Sequence, residues 1–231
     1  MSNLMRWLSA LREALMPQHC ELCGGPSAAA PVCAACAAEL PVLGAVACRV
    51  CALPLPGGGV CGRCLRRPPA FDASRARFAY AFPVDRLVQG LKYGHRLALA
   101  AYFSRLLAES ARPEGVDCVV PLPMHRRGLR ERGFNQAVEI ARPLARAWGL
   151  PLRLDAVRRV RDGPPQASLE GAARRRNVRG AFAADARVVA GRSVLVVDDV
   201  MTTGATLDAL ARELKRAGAV RVENVVLART P

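Results

Sequence analysis

Residues Val194 to Leu207, VLVVDDVMTTGATL, constrain the fold of this chain more than any other stretch. Val194 to Val197 form an unbroken apolar run, the pattern of a parallel strand buried on both faces. Two carboxylates, Asp198 and Asp199, stand at the carboxyl end of that strand. Thr202, Thr203, Gly204, Ala205 and Thr206 make a small-residue turn, and a helical pattern starts at Leu207. Open α/β sheets bind their ligands outside the carboxyl ends of strands. The turn offers backbone N–H groups and hydroxyls to one anion at a helix N-terminus. The acid pair accepts hydrogen bonds from sugar hydroxyls or holds Mg²⁺ through its waters. An anion grip beside a hydroxyl grip predicts a ribose 5-phosphate site. The plainer alternative is a strand capped by two solvated acids and a Thr-rich helix start.

The cysteines divide the chain. Eight of the nine fall as four CxxC pairs, Cys20/Cys23, Cys33/Cys36, Cys48/Cys51 and Cys61/Cys64. The second four repeat the first at an offset of 28 residues, an internal duplication of a two-knuckle unit. Paired CxxC spacing without export points to metal rather than disulfides. Two knuckles complete a tetrahedral Cys₄ shell, and a shell with no open position makes zinc structural rather than catalytic. The simplest arrangement is two ribbons in series, with crossed pairing of the knuckles also compatible with the spacing, for one or two Zn²⁺ ions. Cys118 lies in an apolar run and reads as a small packed hydrophobe. His19 reads as a bystander to Cys20. A module of this size buries little core alone, so the metal is expected to carry much of its stability.

The 231 residues allow one to two domains. With 52% hydrophobic residues but only 5% aromatics, the core must rely on Leu, Val and Ala. No stretch is long and apolar enough to span a membrane. The first 16 residues carry Arg6, Arg12 and Glu13 within their apolar pattern, unlike a signal peptide. Leu4, Leu8, Leu11 and Leu15, with Trp7, instead mark one face of a short amphipathic helix. The expected location is cytoplasmic. The net charge is +15, and Lys92 and Lys215 are the only lysines among 34 bases. From Pro121 to Gly180 there are 14 arginines against 5 acids, so +9 of the excess lies there. Such a field attracts polyanions, a pyrophosphate or a nucleic acid strand, and weakens with salt. A charge-rich surface with no partner is the bland alternative.

Beyond a linker at Arg66-Arg67-Pro68-Pro69, strands and helices alternate. A first strand is expected at Arg77 to Phe82, with helices at Val84 to Tyr93, Leu97 to Ala111, Phe134 to Trp148 and Leu207 to Ala217. Further extended segments fall at Val116 to Pro121, Pro151 to Arg159, Val178 to Phe182 and Val220 to Leu227. This is a mostly parallel α/β sheet with helices on its faces. Lys92, Tyr93 and Gly94 read as a helix C-terminus, with lysine favouring the dipole and glycine in the left-handed conformation; ligand binding by this cation and aromatic is the alternative. Arg126, Arg127, Arg130 and Arg132 lie in a Gly-containing loop, where guanidinium forks suit a pyrophosphate. Gly163 to Asn177, polar and bearing Arg174, Arg175 and Arg176, reads as a mobile lid.

Val194 to Thr206 resembles the 5-phosphoribosyl-1-pyrophosphate (PRPP) motif of type I phosphoribosyltransferases, an apolar strand, Asp-Asp and TTGxT. Other features extend the likeness: the double cysteine ribbon, RGFNQ at Arg132 to Gln136, and Q-x-x-L at Gln166 to Leu169. The run from Arg174 through Asn177 to Ala181 and Phe182 adds another. Together they resemble the ComF (ComF/GntX) family, from Cys20 to the end of the chain. The resemblance implies a type I phosphoribosyltransferase fold over 71–231, a double zinc ribbon over 17–67 and the short helix over 1–16. It implies PRPP with Mg²⁺, the 5-phosphate held by Thr202, Thr203, Gly204, Ala205 and Thr206, and the ribose hydroxyls by Asp198 and Asp199. Arg126, Arg127 and Arg132 would hold pyrophosphate, and lid closure would exclude water. The implied activity is phosphoribosyl transfer to an acceptor the motif does not fix, or sensing of that ligand. Members of the family are linked by name to DNA uptake in competence. The alternative is therefore a non-catalytic module binding single-stranded DNA, with competence proteins as partners.

Overall fold

A computed structural model describes residues 19–27, 30–44, 46–109, 112–161 and 180–231. The expected helix over 1–16, the Q-x-x-L signal and the expected lid over 163–177 lie outside the described residues. Two single-turn helices, α1 (Ala34–Ala38) and α2 (Gly62–Arg66), follow the third cysteine of each repeat. Then come β1 (Ala73–Ala79), α3 (Val84–Tyr93), α4 (Ala98–Ala108), β2 (Cys118–Pro121), α5 (Arg126–Arg132) and α6 (Gln136–Ala147). After them follow β3 (Val157–Arg159), β4 (Phe182–Ala184), α7 (Ala186–Val189), β5 (Ser193–Met201), α8 (Ala205–Arg216) and β6 (Arg221–Arg229).

Four strands form one parallel sheet in the order β1-β6-β5-β2, and β3 pairs antiparallel with β4 apart from it. The central strands are buried along almost their whole length, as parallel strands covered on both faces must be. Alternation along β5 sends Leu195 and Val197 to one core, with α3, α4 and α6, and Val194 and Val196 to the other, with α8. The helices meet those faces through regular apolar spacing, Val84, Leu87, Val88 and Leu91 on α3 and Leu207, Leu210, Ala211 and Leu214 on α8. Each fully buried Leu in these rows stabilises the fold by roughly 1.5–3 kcal/mol.

The ribbons share these cores. Cys20, Val32 and Leu40 pack on the α3 side, and Cys48, Cys51, Cys61 and Cys64 on the α8 side. The connector between them pairs with the outer edge of β1. Val42 bridges Phe78 antiparallel, Leu43 N–H donates to Arg77, and Ala79 N–H donates to Pro41. One copy of the duplicated unit therefore lies over each face, and the connector satisfies backbone groups an edge strand would otherwise expose.

Four expectations need correction. The first strand begins earlier than Arg77 and ends at Ala79, because its register is set by pairing with β6 and Phe82 is exposed. Arg126 to Arg132 is a helix, not a loop: His125 accepts the Arg127 N–H at 3.3 Å, and Gly133 closes it in the left-handed conformation. Gly94 does not take the left-handed conformation; His95 does, at φ +54°. Glycine is needed at 94 for closeness instead, since a Cβ there would lie 2.8 Å from the Gly90 carbonyl. Last, β5 does not end at the acid pair but runs on to Met201.

Candidate functional site

β5 outruns its neighbour on one side. The last β2 residue, Pro121, pairs with Val197, so Asp198 and Asp199 extend past β2 while remaining paired with β6 on the other side. Both acids are buried, at 6% and 4% exposed. Asp198 Oδ1 accepts the Asp199 N–H at 2.9 Å, and Asp199 Oδ1 accepts the Val200 N–H at 2.8 Å. Strand alternation directs Asp199 toward the α3 face and Asp198 toward the α8 face. Burial and the neighbouring Asp199 push the Asp198 carboxyl well above the usual carboxylate range, against the pull of Lys92.

Lys92 belongs to this site. It stands near the end of α3, and its Nζ lies 2.5 Å from Asp199 Oδ2, an oxygen with no aligned hydrogen-bond donor. Burial works against the ammonium, but Asp199 and then Asp198 outweigh it and hold its pKa above the usual lysine value. The reading of Lys92 as a helix-end cation misses this. Composition held a signal, since lysine is so rare in this arginine-rich chain. The acid pair thus already holds one cation and offers hard oxygen donors, a donor set that fits Mg²⁺ as well.

The neighbouring RGFNQ run is held to the same helix end. Arg132 stacks 5.1 Å above the Tyr93 ring and donates to Gln136 Oε1 at 2.8 Å. Phe134 meets His95 edge to face at 5.8 Å. Asn135 caps α6 by accepting the Ala137 N–H, and its Nδ2 donates to the Leu122 carbonyl at the end of β2. Of the predicted arginines, Arg132 is brought onto the Tyr93 ring at the end of α3. Arg127 pairs with Glu131 on α5, and Arg126 is exposed on the wall of an open cleft of ≈ 820 Å³. Met124, His125, Phe134, Arg158 and Val160 also line that cleft, but neither the acids nor the Thr-rich turn do. The chemistry therefore lies beside the cleft rather than inside it.

Past Met201 the chain turns through Thr202 and Thr203 into α8. Gly204 is the N-cap, at φ +77°, and has no side chain to cap the helix. A Cβ at Gly204 would sit 2.6 Å from the Met201 methyl and 3.6 Å from Phe71. Thr203 Oγ1 accepts the Ala205 N–H at 3.3 Å. From beneath, the buried Arg229 donates to the carbonyls of Met201 at 3.2 Å and Thr202 at 2.5 Å. A helix start of this kind, with a glycine cap and small neighbours, leaves room for an anion against the backbone.

The cysteines converge as two tetrads in series, Cys20, Cys23, Cys33 and Cys36, then Cys48, Cys51, Cys61 and Cys64, each with its sulfurs within 4.8 Å. A tetrahedron with metal–sulfur bonds of about 2.3 Å has edges of about 3.8 Å. Cys23 and Cys33 are 3.9 Å apart at sulfur, and Cys51 and Cys61 are 3.7 Å apart, so both cages fit zinc. The Cys33 N–H points at Cys20 Sγ and the Cys61 N–H at Cys48 Sγ. Burial opposes charge on Cys20 and Cys48, yet such N–H groups bring both down to about 6. The sulfurs of Cys33 and Cys23 push Cys36 up to about 12, and burial with the sulfurs of Cys51 and Cys61 pushes Cys64 up. Four thiolates this close need a cation between them.

The comparisons with known proteins agree with this division. A phosphoribosyl transferase domain family matches residues 128–231, and a double zinc ribbon domain family matches residues 11–65. DNA utilization protein YhgH of Escherichia coli (strain K12) is 36% identical over 177 residues, covering 74% of this chain and 78% of that protein. Competence protein F of Haemophilus influenzae is 29% identical over 178 residues, covering 73% and 78%. Among solved structures, the glutamine PRPP amidotransferase of B. subtilis shares 25% identity over 55% of this chain and 25% of that one, with a TM-score of 0.40. Leishmania donovani UMP synthase shares 20% identity over 62% of this chain and 24% of that one, with a TM-score of 0.35. The matched region spans only about a quarter of those two longer chains.

Proposed function

The chain belongs to the ComF family, a phosphoribosyltransferase-like domain joined to a double zinc ribbon, and from that premise we propose that it binds PRPP or a related ribose 5-phosphate across the end of β5. The observation that carries this reading is the succession of two buried acids and a glycine-capped helix start on one strand end of a parallel sheet. The 5-phosphate sits against Thr202, Thr203, Gly204, Ala205 and Thr206. A sugar lying across the strand end meets one carboxylate from each side, Asp198 and Asp199, through its 2- and 3-hydroxyls. Lys92 shares Asp199 and keeps the pair from repelling itself.

Asp198 and Asp199 would also hold Mg²⁺ through waters, and the ion would supply positive charge to a departing pyrophosphate. Arg132, fixed on Tyr93, and Arg126, on the cleft wall, are the guanidinium groups that would take that pyrophosphate. In transfer, positive charge develops on the ribose, and the two acids stabilise it. The acceptor enters from the cleft side. The eight paired cysteines hold two structural Zn²⁺ ions.

Calorimetric titration of ribose 5-phosphate and PRPP, with Mg²⁺ present, tests the reading. Asp199→Asn should weaken both by roughly 10- to 100-fold, the value of one hydrogen-bonded charge, with zinc content unchanged. Unchanged affinity overturns the assignment. A second reading, single-stranded DNA binding, is favoured by the +15 charge and by the names of the relatives, which refer to DNA utilization and competence.

A further inference from the structure

Arg229 is the last residue of β6 and is 2% exposed. Its Nη1 donates to the carbonyls of Met201, Thr202 and Thr230, and its Nε donates to the Cys51 carbonyl at 3.0 Å. It makes no salt bridge among the described residues. Burying a guanidinium against carbonyls alone is costly. Two anions would repay that cost. A zinc ion with four thiolates carries a net charge of −2, and Cys51 is one of those thiolates. A bound phosphate monoester carries a similar charge on the far side, at the turn Arg229 supports.

Other contacts join the same two parts. Ala70 N–H, just after the second ribbon, donates to Asp208 Oδ1 in the first turn of α8 at 2.7 Å. Phe71 is buried in one core with the second tetrad, Met201 and Leu207. Among the described residues the first tetrad has no such link. It packs with α3 and α4 on the opposite face, where Glu21 pairs with Arg96.

We propose that Arg229 is a positioning residue that ties the second zinc ribbon to the phosphate-binding turn, so that metal at Cys48, Cys51, Cys61 and Cys64 sets the affinity for ribose 5-phosphate. This rests on the phosphoribosyl reading above. With zinc bound, the Cys51 carbonyl is fixed, Arg229 spans from it to Met201 and Thr202, and the turn keeps its shape. Without zinc the knuckle loosens, and the carbonyls of the turn lose their donor.

The duplication supplies an internal control. Cys64→Ser should lose one zinc per chain and weaken ribose 5-phosphate, measured by calorimetry, by about 5- to 150-fold. Cys36→Ser should also lose one zinc and lower the melting temperature, yet keep affinity within about twofold. Arg229→Met and Arg229→Lys should weaken binding with both zinc ions retained, and Cys64→Ser added to Arg229→Met should cost little more. Equal losses of affinity from Cys36→Ser and Cys64→Ser, or wild-type affinity in Arg229→Met, overturn the proposal. Should Cys64→Ser fail to fold, the two Arg229 variants decide alone. Should the unaltered protein not bind ribose 5-phosphate, the phosphoribosyl reading is what fails. The link is then read by hydrogen exchange at Met201 to Thr206: faster exchange in Cys64→Ser than in Cys36→Ser supports it, and equal exchange overturns it.

Discussion

Two neighbouring carboxylates lie almost out of contact with water where β5 outruns β2, and Asp198 has the harder place. Its folded pKa is raised by burial and by Asp199, above the value of about 3.9 it has when unfolded. Between those two values the folded chain binds more protons than the unfolded one, so stability falls as pH rises. The contribution is present in full below the unfolded pKa and is lost as pH climbs through the folded one. At neutral pH Asp198 therefore burdens the fold. Asp198→Asn keeps the acceptor for the Asp199 N–H and removes the charge. It should raise stability at pH 7 by about 0.5–2 kcal/mol, with the gain shrinking toward pH 4 in thermal melts, while ribose 5-phosphate binding weakens. A variant less stable than the parent at pH 7 would contradict this. At this scale the acid pair and the eight cysteines were legible because their chemistry is local in sequence. Lys92 and Arg229 were not. Asp199, the partner of Lys92, and Cys51, one partner of Arg229, lie more than a hundred residues away, and a lysine near a helix end or an arginine near a strand end has an ordinary explanation.

Helices with a buried apolar row were readable, and α3 runs over the span its spacing predicts, Val84 to Tyr93. The helix α5 was not, because none of its residues is buried and its cap is a histidine. A short, solvated helix leaves no periodic trace. The turn into α8 was readable for the opposite reason, since Gly204 answers two demands together. It adopts φ +77°, where a side chain costs about 1–2 kcal/mol, and it leaves room for the Met201 methyl. Gly204→Ala should weaken ribose 5-phosphate about tenfold in calorimetry and lower the melting temperature. Its secondary structure by circular dichroism should stay unchanged. Wild-type affinity in that variant would mean that the turn does not hold the phosphate.

The architecture of the whole molecule followed from the alternation of strands and helices, and the sheet is parallel as that pattern requires. The sharing of cores between ribbons and sheet did not follow, because contact between distant apolar segments leaves no mark on spacing. No helix among the described residues is long and apolar enough to cross a membrane. The charge is likewise a property of the entire surface. If it serves single-stranded DNA, affinity for an oligonucleotide should fall steeply between about 50 and 200 mM salt, because each neutralised phosphate releases counterions. Fluorescence titration across that range checks it, and a flat response would remove DNA from the account. The stretch from Pro41 to Leu43 lies along β1, with one cysteine cage on either side. The repeat thus works as a clasp closed over the sheet's margin, with its hinge on the outermost strand. Cutting the chain ahead of β1 would bare apolar surface on both flanks at once and unzip that margin. The cysteine-rich part is therefore no detachable appendage, and its two copies, once equivalent, now answer to different neighbours and are free to diverge only as far as each neighbour allows.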